Sequence, residues 1–333
     1  MLGAGIVGLA VADELARRGH RVTVVDPSPG GGASYAAAGM LSPSAEVWYG
    51  EPDVLRLGTE SLALWPGFAA RLGVPLRDGG TLLVGVDGGD RQRVERQVEL
   101  LHRLGSRVEP LDARGVRELE PTLARTGGAA YLPDERSVEP RRVVHALLDR
   151  VRVLPEPPDH ACDVTVVATG ASLPAPYDHL VRGVRGEILR LRATDPPRRT
   201  VRGWVRGEPV YLVPRPGGEV VVGATSEEHD EPPVVTAGGV LRLLAAAREL
   251  WPVLDRAQLL EAVARDRPGT ADNLPLIGPS GRDDGVVLAA GHYRHGVLLA
   301  PLTARLVADH LETGRVDPAV DPRRPAVQPR PTP

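Results

Sequence analysis

Apolar residues recur at helical spacing directly behind the first glycines of the chain. Residues 3–8 read GAGIVG, and Val7, Ala10, Val11 and Leu15 then fall on one helix face up to Gly19. RVTVVD follows and reads as a strand closing on Asp26. Glycines before a helix, a strand behind it and an acid at that strand's end form the opening unit of a dinucleotide fold. The glycines let backbone approach a pyrophosphate at the helix N-terminus, and the acid takes a ribose hydroxyl. Asp26 would repel a 2′-phosphate, which disfavours NADP.

Further along, periodicity separates more elements. Residues 80–86 (GTLLVGV) read as a strand and residues 90–104 as an exposed amphipathic helix, both assigned to a second domain. DVTVVATG (163–170) is a buried strand ending in a glycine turn at Gly170. VYLVPRPGGEVVVGAT (210–225) is a strand, a Pro-Gly-Gly turn and a second strand. Between 30 and 43, GGGASYAAAGMLSP is dense in small residues, which marks close backbone approach to something. From Asp317 onward the chain is rich in proline and arginine without periodicity and is expected to be disordered. There is no internal repeat.

Composition narrows the chemistry. The 333 residues suffice for one large or two intimate domains, and the net charge of −3 gives no basic surface for nucleic acid. No apolar run is long enough to span a membrane, and the N-terminal run lacks the basic lead of a signal peptide. The one cysteine, Cys162, excludes an intrachain disulfide and fits a reducing, cytoplasmic setting. All 40 basic residues are arginine. Lysine Schiff bases and lysine general bases are therefore excluded, and anions must be held by arginine, backbone amides or hydroxyls.

GAGIVGLA, ASYAAAGML, VYLVPRPGGEVVVGAT, RPGTADNLPLIG and AAGHYRHGVLLAPLTA occur in that order. Together they resemble the D-amino-acid oxidase superfamily of flavoproteins and, more narrowly, its ThiO-type glycine oxidases. The resemblance runs from Gly3 to about Gly314. It implies an α/β fold in which a Rossmann-like FAD-binding domain (1–75, 137–183 and 264–316) is interleaved with a mixed-sheet α+β substrate domain (76–136 and 184–263), followed by a disordered tail (317–333). It implies non-covalent FAD and oxidation of glycine or another small amine to an imine. O2 is reduced to H2O2, and the imine feeds thiazole formation in thiamine biosynthesis. It also implies a homo-oligomer, a tetramer in the family pattern.

Such an enzyme must hold a carboxylate and place an α C–H over the flavin. A guanidinium in a dry site has the bidentate geometry for the first task. By resemblance Arg267 is that carboxylate arginine, Tyr211 shares the carboxylate through its hydroxyl, and Arg294 stands at the mouth of the site. Gly3, Gly5, Ile6, Val7, Gly8, Asp26, Ala33, Ser34, Ala38, Gly39, Met40 and Gly170 fall on FAD-contacting positions. So do His292, Tyr293, Arg294, His295, Gly296, Val297 and Leu298. GHYRHG (291–296) then passes the flavin ring and turns into a last helix. That helix is expected to start between Gly296 and Ala300, with Pro301 in its first turn, and to end at Gly314. Its positive N-terminus would face the flavin edge where negative charge develops. His292 and His295 have no ligand-spaced partners for a metal and read as loop histidines held by backbone hydrogen bonds. No catalytic protein base is required.

Four departures from the family pattern stand out. Only Met1 and Leu2 precede the glycine motif, so most of the first, central strand is missing. That loss should cost several kcal/mol and leave two neighbours unpaired; translation is expected to begin further upstream, which an in-frame stop before Met1 would exclude. The bridge at 154–162 is short, which reduces contacts to the adenine half of FAD. Arg265 replaces a glycine, and Ser226 replaces a larger apolar residue of the pocket, which leaves the preferred amine open. Alternatives are an oxidase of D-amino acids or sarcosine, and a non-catalytic flavoprotein remnant. Against sarcosine oxidases of the monomeric type, the chain has no lysine near the flavin and Cys162 is far from GHYRHG. An NAD-dependent dehydrogenase would explain only the glycine motif.

Overall fold

The computed structural model describes residues 1–159, 161–228 and 231–327. The first helix, Ile6–Arg17, opens behind the glycine motif with Gly5 as N-cap, no capping side chain and no acid in its first turn. Leu9, Ala10, Val11 and Leu15 are buried, as the spacing predicts. The strand predicted over 21–26 shrinks to Val24–Val25, paired in parallel with Val153–Leu154. Leu2 bridges both Val25 and Val167.

The expectation that a missing first strand leaves two unpaired neighbours is corrected. Leu2 N donates to Val166 O and Ala168 N to Leu2 O, both at 2.8 Å. On the other side Val25 N donates to Met1 O at 2.8 Å and Gly3 N to Val25 O at 2.9 Å. A ladder extends only as far as both partners do, so the neighbouring strands are short where Met1–Gly3 is short. Thr165–Val167 continues the sheet in parallel to Val286–Ala290, which pairs antiparallel with Leu276–Pro279. The helices Ile6–Arg17, Pro52–Leu72 and Gly296–Thr313 pack together beside it, with Leu9, Trp65, Leu302 and Val307 in the shared core. Within the 154–162 bridge, His160 lies outside the described residues.

A larger sheet has eight strands. In spatial order they are Gln258–Gly269, Arg182–Arg192, Glu219–Gly223, Glu208–Pro214, Thr200–Val205, Thr81–Gly85, Gly128–Leu132 and Glu109–Leu111. Thr200–Val205 and Thr81–Gly85 are parallel; the other neighbours are antiparallel. The hairpin predicted at 210–225 is present, turning through Pro216–Gly218 with Gly217 at φ 75°. The predicted exposed helix is Gly88–Arg103, opened by a reciprocal Asp87–Asp90 capping box.

Alternation along these strands decides what each face meets. Val210, Leu212, Val220 and Val222 face the helix Ala237–Leu250 and share a core with Leu243, Ala247 and Trp251. Tyr211, Val213 and Val221 point the other way, onto Ala36, Ala38 and Met40. Burying each such valine is worth about 1.5–3 kcal/mol. The AAAGM segment is thereby clamped onto the strand that carries Tyr211.

The expectation of a disordered tail is corrected for residues 317–327. Val320 is fully buried, and its carbonyl accepts Ile277 N at 2.8 Å. The Arg324 guanidinium meets both Asp272 carboxylate oxygens at 2.8 Å. Isolated anchors of this kind make no periodic pattern, which is why the sequence does not show them. Residues 328–333 lie outside the described residues. Among the described residues no helix is long and apolar enough to cross a membrane.

Candidate active site

One cleft of about 940 Å³ runs between the two sheets. Gly3, Gly5, Ile6, Val7, Asp26, Ala33, Ser34, Ala38, Gly39, Met40 and Gly170 line it, as do Tyr211, Arg267 and residues 292–298. Gly8 is the exception and is corrected. It packs beneath the loop, where a Cβ would overlap the Gly3 carbonyl, so its smallness serves the turn and not the cleft.

At the glycine end, Gly3 has φ 97° and lies so close to Ala168 that a side chain could not fit. Asp26 fixes this loop: Oδ2 accepts Ala4 N at 2.6 Å and Oδ1 accepts Ser28 N at 2.8 Å. Ser34 Oγ accepts Ile6 N at 3.0 Å, tying the small-residue segment to the helix N-terminus. The acid-free helix start, with Ile6 N taken by Ser34 but no cap from its own N-cap residue, suits an anion at its next N–H groups. Beside it, the buried hydroxyl of Thr169 has no protein hydrogen-bond partner although it lines the cleft. These features fit a dinucleotide.

At the other end stand Arg267 and Tyr211. Arg267 Nη1 donates only to backbone carbonyls, Thr225 O at 3.1 Å and Arg185 O at 3.2 Å. Among the described residues no carboxylate lies within ion-pair distance of Arg267. Its guanidinium lies over Gly186, and the Tyr211 ring lies over Gly223; a Cβ at either glycine would overlap them. Burial pushes the Tyr211 hydroxyl up to about 12 against the pull of the Arg267 charge, so it remains a donor at neutral pH. Ser226 lines the cleft and is exposed.

The segment 291–296 turns sharply through Tyr293 at φ 46°, whose N–H donates to Pro268 O at 2.8 Å. The helix Gly296–Thr313 starts within the expected window and ends on Gly314 at φ 73°. Pro301 falls in its second turn, a correction to the first-turn placement. Nearby, the Leu298 carbonyl accepts Ser61 Oγ at 2.6 Å and Trp65 Nε1 at 2.8 Å, partners from another helix that support the backbone where proline weakens the ladder. His292 is held by the side chain of Thr303 (Nε2 to Oγ1, 2.9 Å) where a backbone partner was expected. Burial lowers His292 to about 3 and His295 to about 4, so both imidazoles are neutral.

Sequence reasoning missed Glu46 and Arg202. Glu46 is buried in the cleft wall, ion-paired to Arg202 and 3.6 Å from Arg294 Nε. Burial opposes its ionisation, but the charges of Arg202, Arg294 and Arg267 together hold its carboxyl below the ordinary range. The Arg294 guanidinium lies between two rings, 5.1 Å from the centroid of Trp48 and 5.0 Å from that of Tyr293. No sequence signal joins Glu46 to residues so distant in the chain.

A glycine-loop dinucleotide cleft with an arginine and a tyrosine at its far end fits a nucleotide-dependent oxidoreductase. The chain belongs to the DAO family of FAD dependent oxidoreductases, whose pattern matches residues 2–155 and 149–310. Its cofactor is therefore FAD. It is 31% identical to a glycine oxidase of Geobacillus kaustophilus, over 94% of this chain and 92% of that one. It is 36% identical to a Rhizobium etli oxidoreductase named ThiO and ascribed to thiamine biosynthesis, over 95% and 97% of the two chains. The crystal structure of the G. kaustophilus glycine oxidase superposes with a TM-score of 0.84 at 30% identity, covering 93% of each chain. That of a Bacillus cereus glycine oxidase gives 0.85 at 25% identity, covering 95% and 97%.

Proposed function

We infer that the chain oxidises glycine or another small amine to the imine, with O2 reduced to H2O2 and the imine supplied to thiazole formation in thiamine biosynthesis. The observation that carries this reading is the Arg267 guanidinium, which lines the cleft without a carboxylate partner among the described residues. The names of the relatives support the same substrate.

Arg267 takes the substrate carboxylate in a two-point bond, and the protonated Tyr211 hydroxyl donates a third. Gly186 and Gly223 leave the room in which these two side chains lie flat on their strands. Glu46, with Arg202, holds Arg294 at the mouth. The glycine loop, Ser34 and residues 292–298 would hold FAD, which would supply the two-electron acceptor for the hydride of the neutral amine's α carbon and its return to O2. His292 and His295 are too weakly basic to take the amine proton, which suits a substrate that arrives already neutral. The open N-terminus of Gly296–Thr313 supplies partial positive charge to the cleft.

The test is an absorption spectrum of purified protein followed by anaerobic glycine. Bleaching that reverses in air with release of peroxide is the expected result. Bleaching only by sarcosine or D-alanine would move the substrate, and no bleaching by any amine would overturn the oxidase reading. The family resemblance carries a further part of this reading, a homo-tetramer, which light scattering on the eluted protein checks; the lone Cys162 carries a reducing, cytoplasmic setting.

A further inference from the structure

We propose that Arg265 is a cofactor-binding residue that holds the pyrophosphate of the dinucleotide. It lines the cleft on the edge strand Gln258–Gly269, two residues before Arg267, with its guanidinium tied toward the glycine end. Its Nε donates to Gly31 O at 2.8 Å and its Nη1 to Ala264 O at 2.8 Å. Nη2 has no hydrogen-bond partner among the described residues, and no carboxylate among them lies within ion-pair distance of this guanidinium.

The tether fixes where the charge sits. Gly31 follows Gly30, whose N–H donates to Ala4 O at 3.0 Å, and precedes Ser34, whose Oγ accepts Ile6 N. A guanidinium bonded to the Gly31 carbonyl therefore stands beside the glycine loop and the start of the first helix. Among the other arginines of the cleft, Arg202 and Arg294 share Glu46, Arg93 donates to Gly207 O, and Arg267 lies over Gly186 and donates to Thr225 O and Arg185 O. Arg265 is the one placed at the glycine end. A planar guanidinium, held by two backbone carbonyls with a free edge, suits phosphate oxygens, and the acid-free helix N-terminus beyond Ile6 supplies donors from the other side.

This assignment rests on FAD occupying the cleft, and binding, not turnover, tests it. Flavin-free protein is titrated with FAD and separately with riboflavin, which has no phosphate, at low and high salt. R265Q keeps a hydrogen-bonding side chain and loses the charge. It is expected to weaken FAD about ten- to hundredfold at low salt, with less weakening at high salt and no change for riboflavin. R265K is expected to recover most of the FAD affinity. Wild-type affinity in R265Q, or equal losses for FAD and riboflavin, would overturn the proposal, the second meaning that Arg265 only props the Gly31 loop. So would an R265K as weak as R265Q. A wild-type protein that binds no FAD would overturn the cofactor assignment itself, a result distinct from any difference between variants.

Discussion

Arg267 lies flat over Gly186, so near that a single Cβ there would overlap its guanidinium. The two residues belong to neighbouring antiparallel strands, Arg182–Arg192 and Gln258–Gly269, and the absent side chain of one is the seat of the other. Gly186→Ala should displace the guanidinium without touching the glycine loop. A misplacement of about 1 Å can cost about a hundredfold in rate. The expected outcome is a fall of that order in kcat/KM for glycine with unchanged FAD content, read by steady-state kinetics alongside the flavin spectrum. Unchanged kinetics would mean that Arg267 does not bind substrate.

Truncating Arg267 removes the charge itself. Arg267→Ala is expected to lose about 2–5 kcal/mol of glycine binding while FAD remains bound. Arg267→Lys should recover only part, because an ammonium cannot reproduce the two-point fork. Anaerobic titration of the bound flavin with glycine measures both, and full recovery by lysine would argue against a bidentate carboxylate contact.

Tyr211→Phe should be milder. The ring still packs over Gly223 and beside Val213, so only the hydroxyl is lost. One hydrogen bond to a charged group is worth about 1.5–3 kcal/mol, and the loss should appear in glycine affinity with the rate of flavin reduction at saturation nearly kept. Abolished reduction would show that Tyr211 does more than hold the carboxylate.

Glu135 should make stability depend on pH. It is buried, with Oε1 accepting Ala45 N at 2.7 Å, and burial pushes it up to about 7. The folded value exceeds the unfolded one, so its contribution is full below about 4.5 and lost as pH rises through about 7. Integrated over that window, the loss is about 3 kcal/mol. Denaturant unfolding at pH 5 and pH 8 should show the wild type losing stability relative to Glu135→Gln by about that amount, while the opposite contribution of the neutral His292 and His295, which grows with pH over this window, is common to both proteins and cancels in the difference. An equal pH dependence in the two proteins would place the titration elsewhere.

The local features were legible because their causes are local. GAGIVG, Asp26 and the first helix announce themselves through backbone freedom and 3.6-residue spacing. The bounds of the last helix follow from Gly296 and Gly314, and the hairpin from Pro216–Gly218 between alternating strands. Arg267, Tyr211 and Arg294 were reached through motif order, since nothing in their own neighbourhoods distinguishes them from other arginines and tyrosines.

Tertiary structure alone decided the rest. Strand register put Gly223 opposite Tyr211, and it set Gly186 diagonally across from Arg267, whose side chain lies back over it; no pattern along the chain records which residue faces which across a sheet. It gathered Glu46, Arg202 and Arg294 into one charge cluster from three distant elements. It also anchored 317–327 through Val320 and Arg324. A short-range pattern reports the conformation a segment prefers; which charges share a buried wall depends on closing long loops, a choice made by the sum of packing over the whole core.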